Sequence, residues 1–139
     1  MSTLSMSHAL RAGILEEMRR DENVILMGED LGRMGNPFGI TLGALDEFGP
    51  DRVVETPISE SGFTGMAVGA AMRGLRPVVE LMYVDFIGVC MDAVMNQAAK
   101  MRYMTGGQIN VPMVVRAPMG SGRRNAGQHS QCLETLFTH

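Results

Sequence analysis

Four side chains with chemistry to offer stand directly behind hydrophobic runs. Glu29 follows Val24-Ile25-Leu26-Met27-Gly28, Glu60 closes Pro57-Ile58-Ser59-Glu60 behind a second run, Phe86 follows Asp85 behind a third, and His129 ends a glycine-bearing loop behind a fourth. A carboxylate can accept or share a proton, an imidazole can move one near neutral pH, and an aromatic ring offers a flat platform. Each also has a plainer reading. Glu60 opens a predicted helix, where a carboxylate gains about 0.3–1 kcal/mol from the positive end of the dipole. Glu29, next to Asp30, fits a solvated turn, and a lone Phe86 fits a core. His129 stands out for its setting, a loop with several glycines and the polar neighbours Gln128, Ser130 and Gln131. Glu80 lies inside an apolar run and needs a partner, for which Arg73 and Arg76 are the candidates.

These groups need elements to position them. Leu10, Ile14, Leu15 and Met18 recur at helical spacing over residues 7–20, with Ser7 as the expected N-cap. The run 24–27 predicts a strand buried on both faces. A short helix over 42–48, ended by Gly49-Pro50, and a second strand over 52–56 follow. Residues 61–74 have helical pattern despite Gly62, Gly65 and Gly69. Each interior glycine costs roughly 1 kcal/mol, so this helix is expected to press its smooth face against another helix. A third strand over 77–84, a long helix over 86–104, a fourth strand over 111–117, a loop over 118–128 and a final helix from 130 complete the chain.

Strands alternating with helices predict an α/β fold, a parallel sheet with helices on both faces, as one domain over residues 1–139. In such a sheet ligands bind beyond the carboxyl ends of the strands, where Glu29, Glu60, Phe86 and His129 would gather.

Composition narrows the partners. Twelve Lys and Arg against fifteen Asp and Glu give a net charge of -3, so no overall basic field invites nucleic acid or an anionic membrane. Cys90 and Cys132 have neither metal-site nor disulfide-framework spacing, which suits a reducing cytosol and a cytoplasmic protein. Residues 1–13 lack a signal-like apolar stretch, and Glu80 and Asp85 interrupt the most apolar segment, so no membrane span is expected. The sequence has no GxxxxGK[ST], no GxGxxG behind a strand, no GxSxG and no HExxH. Gly120-Ser121-Gly122 before Arg123-Arg124 is a weak anion-cradle signal, and no aspartate cluster suggests a Mg²⁺-diphosphate site.

Several ordered blocks, GED at 28–30, RVVETPISESGFTGMAVGAAMRGLRPVVELMYVDF at 52–86, NQAAKMRYMTGG at 96–107 and AGQHSQ at 126–131, resemble the β subunit of thiamine-diphosphate-dependent 2-oxo acid dehydrogenases, the E1 component. Within that family the acetoin type is most similar and the pyruvate type next. The resemblance implies a transketolase-like pyrimidine-binding domain. Glu60 would hydrogen-bond the ring nitrogen N1′ of the aminopyrimidine, favouring the tautomer that generates the cofactor's carbon nucleophile. Phe86 would stack on that ring, Glu29 would line the pocket, Ile58 and Met82 would supply apolar walls, and His129 would steady the substrate adduct and assist acyl transfer. The Met113 carbonyl falls at a K⁺ position of some relatives, whose other ligands would lie past residue 139.

The resemblance further implies cleavage of acetoin or a 2-oxo acid and transfer of the acyl group to a lipoyl-bearing E2. An α subunit would hold Mg²⁺ and the diphosphate, and a second β subunit would complete an α₂β₂ assembly. Since the family's β subunits continue into a second domain, the chain is expected to be an N-terminal part of one, with the pyrimidine domain incomplete at its C-terminal end. Two other readings are a non-catalytic assembly fragment of the same family and a flavodoxin-like module for a flat ring, the latter predicting flavin absorbance.

Overall fold

β1 (Val24–Gly28) carries no polar side chain, and all five positions are buried, as a strand covered on both faces requires. In the computed structural model, which describes residues 3–138, β1 joins β2 (Val53–Glu55), β3 (Arg76–Glu80) and β4 (Val114–Arg116) in a parallel sheet of order β2-β1-β3-β4. Alternation along the strands sends side chains to opposite faces. Val24, Leu26 and Val53 pack with Met18 of helix α1 (Met6–Arg20) and Ala44 of helix α2 (Ala44–Phe48). Ile25, Met27 and Val79 pack on the other face with Phe63 and Ala67 of helix α3 (Glu60–Met72) and with Val84, Ile87 and Cys90. The α/β fold with helices on both faces is therefore the one the apolar pattern predicts.

The strand order fixes where a ligand would go. The chain leaves β1 for β2 on one side, then crosses to β3 on the other, so connections diverge at the carboxyl ends of β1 and β3. In open parallel sheets such a divergence is the place where ligands bind. Gly28 is required there: a Cβ on it would come within 2.5 Å of the Glu80 carbonyl oxygen on β3.

Several local expectations are corrected. The N-cap of α1 is Ser5, whose hydroxyl accepts from the His8 backbone N–H at 3.3 Å, two residues ahead of Ser7. β3 ends at Glu80 instead of Val84, because the chain turns out of the sheet once Leu81 N–H has donated to Arg116 O at 2.9 Å. The predicted continuous helix over 86–104 is divided. Residues Val84–Cys90 wind as a 3₁₀ helix, Ala93–Ala98 widen into a π-turn with Ala99 N–H donating to Val94 O at 3.0 Å, and helix α4 (Met101–Met104) follows. Its start is tied to the rest of the fold by Val84 N–H donating to Pro118 O at 2.9 Å, a contact that periodicity alone does not encode. The last helix, α5 (Thr135–Thr138), begins five residues later than expected.

The glycine face of α3 also differs. The helix buries Phe63, Thr64, Ala67, Val68 and Ala71, while Gly62, Gly65 and Gly69 are exposed and a Cβ at Gly65 or Gly69 would meet nothing within 4 Å. Glu80, only 2% exposed, finds neither expected arginine. It pairs with Arg116, its register partner on β4, through Nε to Oε1 and through Nη2 to Oε2 at 3.2 Å, and accepts from Asn36 Nδ2 at 3.1 Å. Arg76 stands four positions away on the same strand, about 13 Å at strand rise, and pairs with Asp21 at 3.3 Å.

Candidate functional site

Glu29 directly follows β1 at this carboxyl edge of the sheet and is 4% exposed, with its Oε1 lacking any hydrogen-bond partner among the described residues. Burial pushes its carboxyl above the ordinary range, the nearby Glu60 charge pushes the same way, and the Ser59 backbone N–H opposes them. Glu60 is the first residue of the thirteen-residue α3, at its positive end, and half-buried, and its charge acts on Glu29. Two carboxylates thus share one corner, one of them biased toward holding a proton.

Beyond β3 an aromatic cluster forms. The His129 ring lies edge-on to Tyr83, with centroids 4.9 Å apart at 85°, and edge-on to Phe86, at 5.3 Å and 84°. Tyr83 meets Phe86 at 6.3 Å and Phe38 at 5.8 Å, both in T-shaped contacts. Arg123 lies over the Phe38 ring, 4.4 Å from its centroid. Phe86 and His129, 43 residues apart in sequence, are therefore in contact.

Met82 is half-buried between the end of β3 and this cluster, and Ile58 is 79% exposed on the rim. Met113 stands apart: it precedes β4 in a parallel sheet, so it lies at the amino edge, opposite the carboxyl edge, with its side chain against the core. Among the described residues no group of three or more His, Cys, Asp or Glu side chains is placed to hold a metal ion, and no helix is long and apolar enough to cross a membrane.

Sequence reasoning missed Tyr83, Asn36, Arg116 and Asp85. Tyr83 was hidden inside an overlong strand prediction; ending β3 at the buried Glu80 would have exposed it as a site residue. Asn36 adopts a left-handed φ of 62°, donates to Glu80, and accepts at Oδ1 from Phe38 N–H at 2.8 Å. It thereby fixes the loop that carries Phe38.

The class of domain follows from this parallel sheet, with two carboxylates and edge-on rings at its topological switch. Residues 2–139 match the family model described as the transketolase pyrimidine-binding domain, and the chain belongs to that family. It is 49% identical, over 97% of its length, to the acetoin:2,6-dichlorophenolindophenol oxidoreductase subunit beta of Bacillus subtilis, covering 43% of that protein. It is 48% identical to the pyruvate dehydrogenase E1 component subunit beta of Rhizobium meliloti, over all of this chain and 30% of that one. Identity to the mitochondrial pyruvate dehydrogenase E1 component subunit beta-1 of rice is also 48%, over 98% of this chain and 36% of the relative. The chain thus spans less than half the length of the curated relatives it matches.

Proposed function

We propose that this chain supplies the pyrimidine-binding part of a thiamine-diphosphate-dependent E1 β subunit, which cleaves acetoin or a 2-oxo acid of the pyruvate type and passes the acyl group to a lipoyl-bearing E2. The observation that carries this reading is the buried Glu29 Oε1, without a partner among the described residues, near the charge of Glu60 at the head of α3. A half-satisfied buried carboxylate is unfavourable unless a ligand completes it. An aminopyrimidine, with ring nitrogens and an amino group, fits such a pair, and Phe86 offers the apolar platform.

When bound, the cofactor supplies a carbon nucleophile for carbon–carbon bond cleavage. The chain's own residues prepare for that chemistry. Glu60 accepts a hydrogen bond from a protonated ring nitrogen and holds that proton in place. Glu29, whose carboxyl burial and the Glu60 charge push above the ordinary range, lines the same corner. His129, edge-on to Phe86, is the imidazole that steadies the substrate adduct by moving a proton at its oxygen. In this reading Mg²⁺ and the diphosphate fall to the α subunit. A second β subunit, a K⁺ ion at the Met113 carbonyl and a cytoplasmic location belong to the same proposal.

Glu60→Gln tests it. In the assembled, α-containing enzyme this variant is expected to lower cofactor-dependent turnover of pyruvate or acetoin by about 10²-fold or more, the usual scale for losing a proton-transfer group. Unchanged circular dichroism would locate the loss in chemistry. Activity within a few-fold of the parent would overturn the assignment.

A further inference from the structure

We propose that Asp85 is a positioning residue for His129: it seats the histidine loop on the same turn that carries Phe86. The inference rests on the functional reading above for its consequence in turnover, and on geometry for the placement itself.

In the loop over residues 118–131 the stretch 121–128 is exposed throughout. Both its ends attach to two adjacent residues. Val84 N–H donates to Pro118 O at 2.9 Å. Asp85 Oδ1 accepts from the Gln131 backbone N–H at 3.2 Å and from Gln131 Nε2 at 2.8 Å. Gly120 N–H donates to Gln131 O at 3.0 Å and closes the base of the loop. Inside it, Asn125 Nδ2 donates to the Tyr83 hydroxyl at 3.0 Å, and Asn125 N–H donates to Ser130 Oγ at 3.1 Å. Arg123 Nη2 donates to Pro37 O at 2.9 Å.

Among these ties Asp85 alone receives two bonds on one side-chain oxygen, and they hold the residue two places after His129. Charge-assisted bonds of this kind are stronger than neutral ones. Burial pushes the Asp85 carboxyl up, but the donors on Gln131 and the Ser130 backbone outweigh it and hold it below the ordinary range, so it is ionised at neutral pH. Its other oxygen, Oδ2, is buried without a partner among the described residues. Stability alone does not explain a carboxylate left half-paired. Because Asp85 lies between Val84 and Phe86, one turn sets both the aromatic platform and the imidazole, and reacting groups must be held to within about 0.5 Å and 10–20° to be productive.

The placement is read by NMR on the chain itself. Its three histidines are assigned with His129→Gln, and the His129 ring resonance is expected to be displaced from that of His8 by the ring currents of Tyr83 and Phe86. Asp85→Ala is expected to move it toward the His8 position, while Asp85→Asn, which keeps an oxygen acceptor for Gln131, retains most of the displacement. Should Asp85→Ala lose amide dispersion, Gln131→Glu, which sets a like charge against Asp85, is expected to give the same shift in a folded chain.

In the assembled enzyme, Asp85→Ala is expected to lower kcat by about tenfold or more with cofactor affinity kept within about twofold, and Asp85→Asn to restore most of it. An unmoved His129 resonance in the folded Asp85→Ala or Gln131→Glu chain, or a kcat that falls only in step with cofactor affinity, overturns the proposal. A parent enzyme without cofactor-dependent turnover overturns the functional reading instead, and the resonance still decides the placement.

Discussion

Two buried carboxylates in this domain are managed in opposite ways. Glu80 is fully paired, by Arg116 and Asn36, although burial still pushes it above the ordinary range while both partners pull it back. Removing one partner from a buried pair strands a charge, so Arg116→Met is expected to cost about 3–5 kcal/mol in urea unfolding. The double variant Glu80→Met, Arg116→Met is expected to recover most of that loss. Glu29 is only half-satisfied, and its raised folded-state value has a pH signature. Below the ordinary glutamate range both folded and unfolded chains are protonated. As pH rises through that range toward the raised value, the unfolded chain loses its proton first, so stability falls. Glu80 contributes a slope of the same sign. Glu29→Gln is expected to flatten its share and to raise the neutral-pH Tm of the free chain, measured by thermal melts from pH 4 to 8.

At the scale of elements, the glycines divide by what a methyl group would meet. Gly28 sits where β1 passes β3 at the carboxyl edge, and Gly28→Ala is expected to destabilise the chain severely, since the added carbon runs into the Glu80 carbonyl oxygen. Gly69 is exposed on α3 with open space around it, so Gly69→Ala is expected to stabilise the chain by roughly 0.5–1 kcal/mol through helix propensity. Chemical denaturation of both variants separates the two outcomes. The glycine pattern marks a helix with a smooth face but not what that face touches. In the same way, the apolar repeat over 86–104 marks helical winding but not its change from 3₁₀ to π to α.

For the whole molecule, the proposed function gives Glu29, Glu60 and Phe86 the contacts to the cofactor's ring and leaves its metal-bound diphosphate to an α subunit. Isothermal titration of the chain alone with thiamine diphosphate and Mg²⁺ is therefore expected to show no saturable binding in the micromolar range, with binding appearing once the α subunit is added. The sequence by itself determined the α/β alternation, the doubly buried strand β1, and the location of Glu29, Glu60, Phe86 and His129 behind strands, because apolar runs, glycine breaks and polar residues after them are local signals. Tertiary structure decided which of those ends meet. The order β2-β1-β3-β4 places the switch point at β1 and β3, and register across 36 residues gives Glu80 its arginine. Two hydrogen bonds from Gln131 bring His129 onto Phe86. Periodicity specifies the face a side chain takes on its own element; its partner is set by which elements pack together, and that is settled only when both cores close around the sheet.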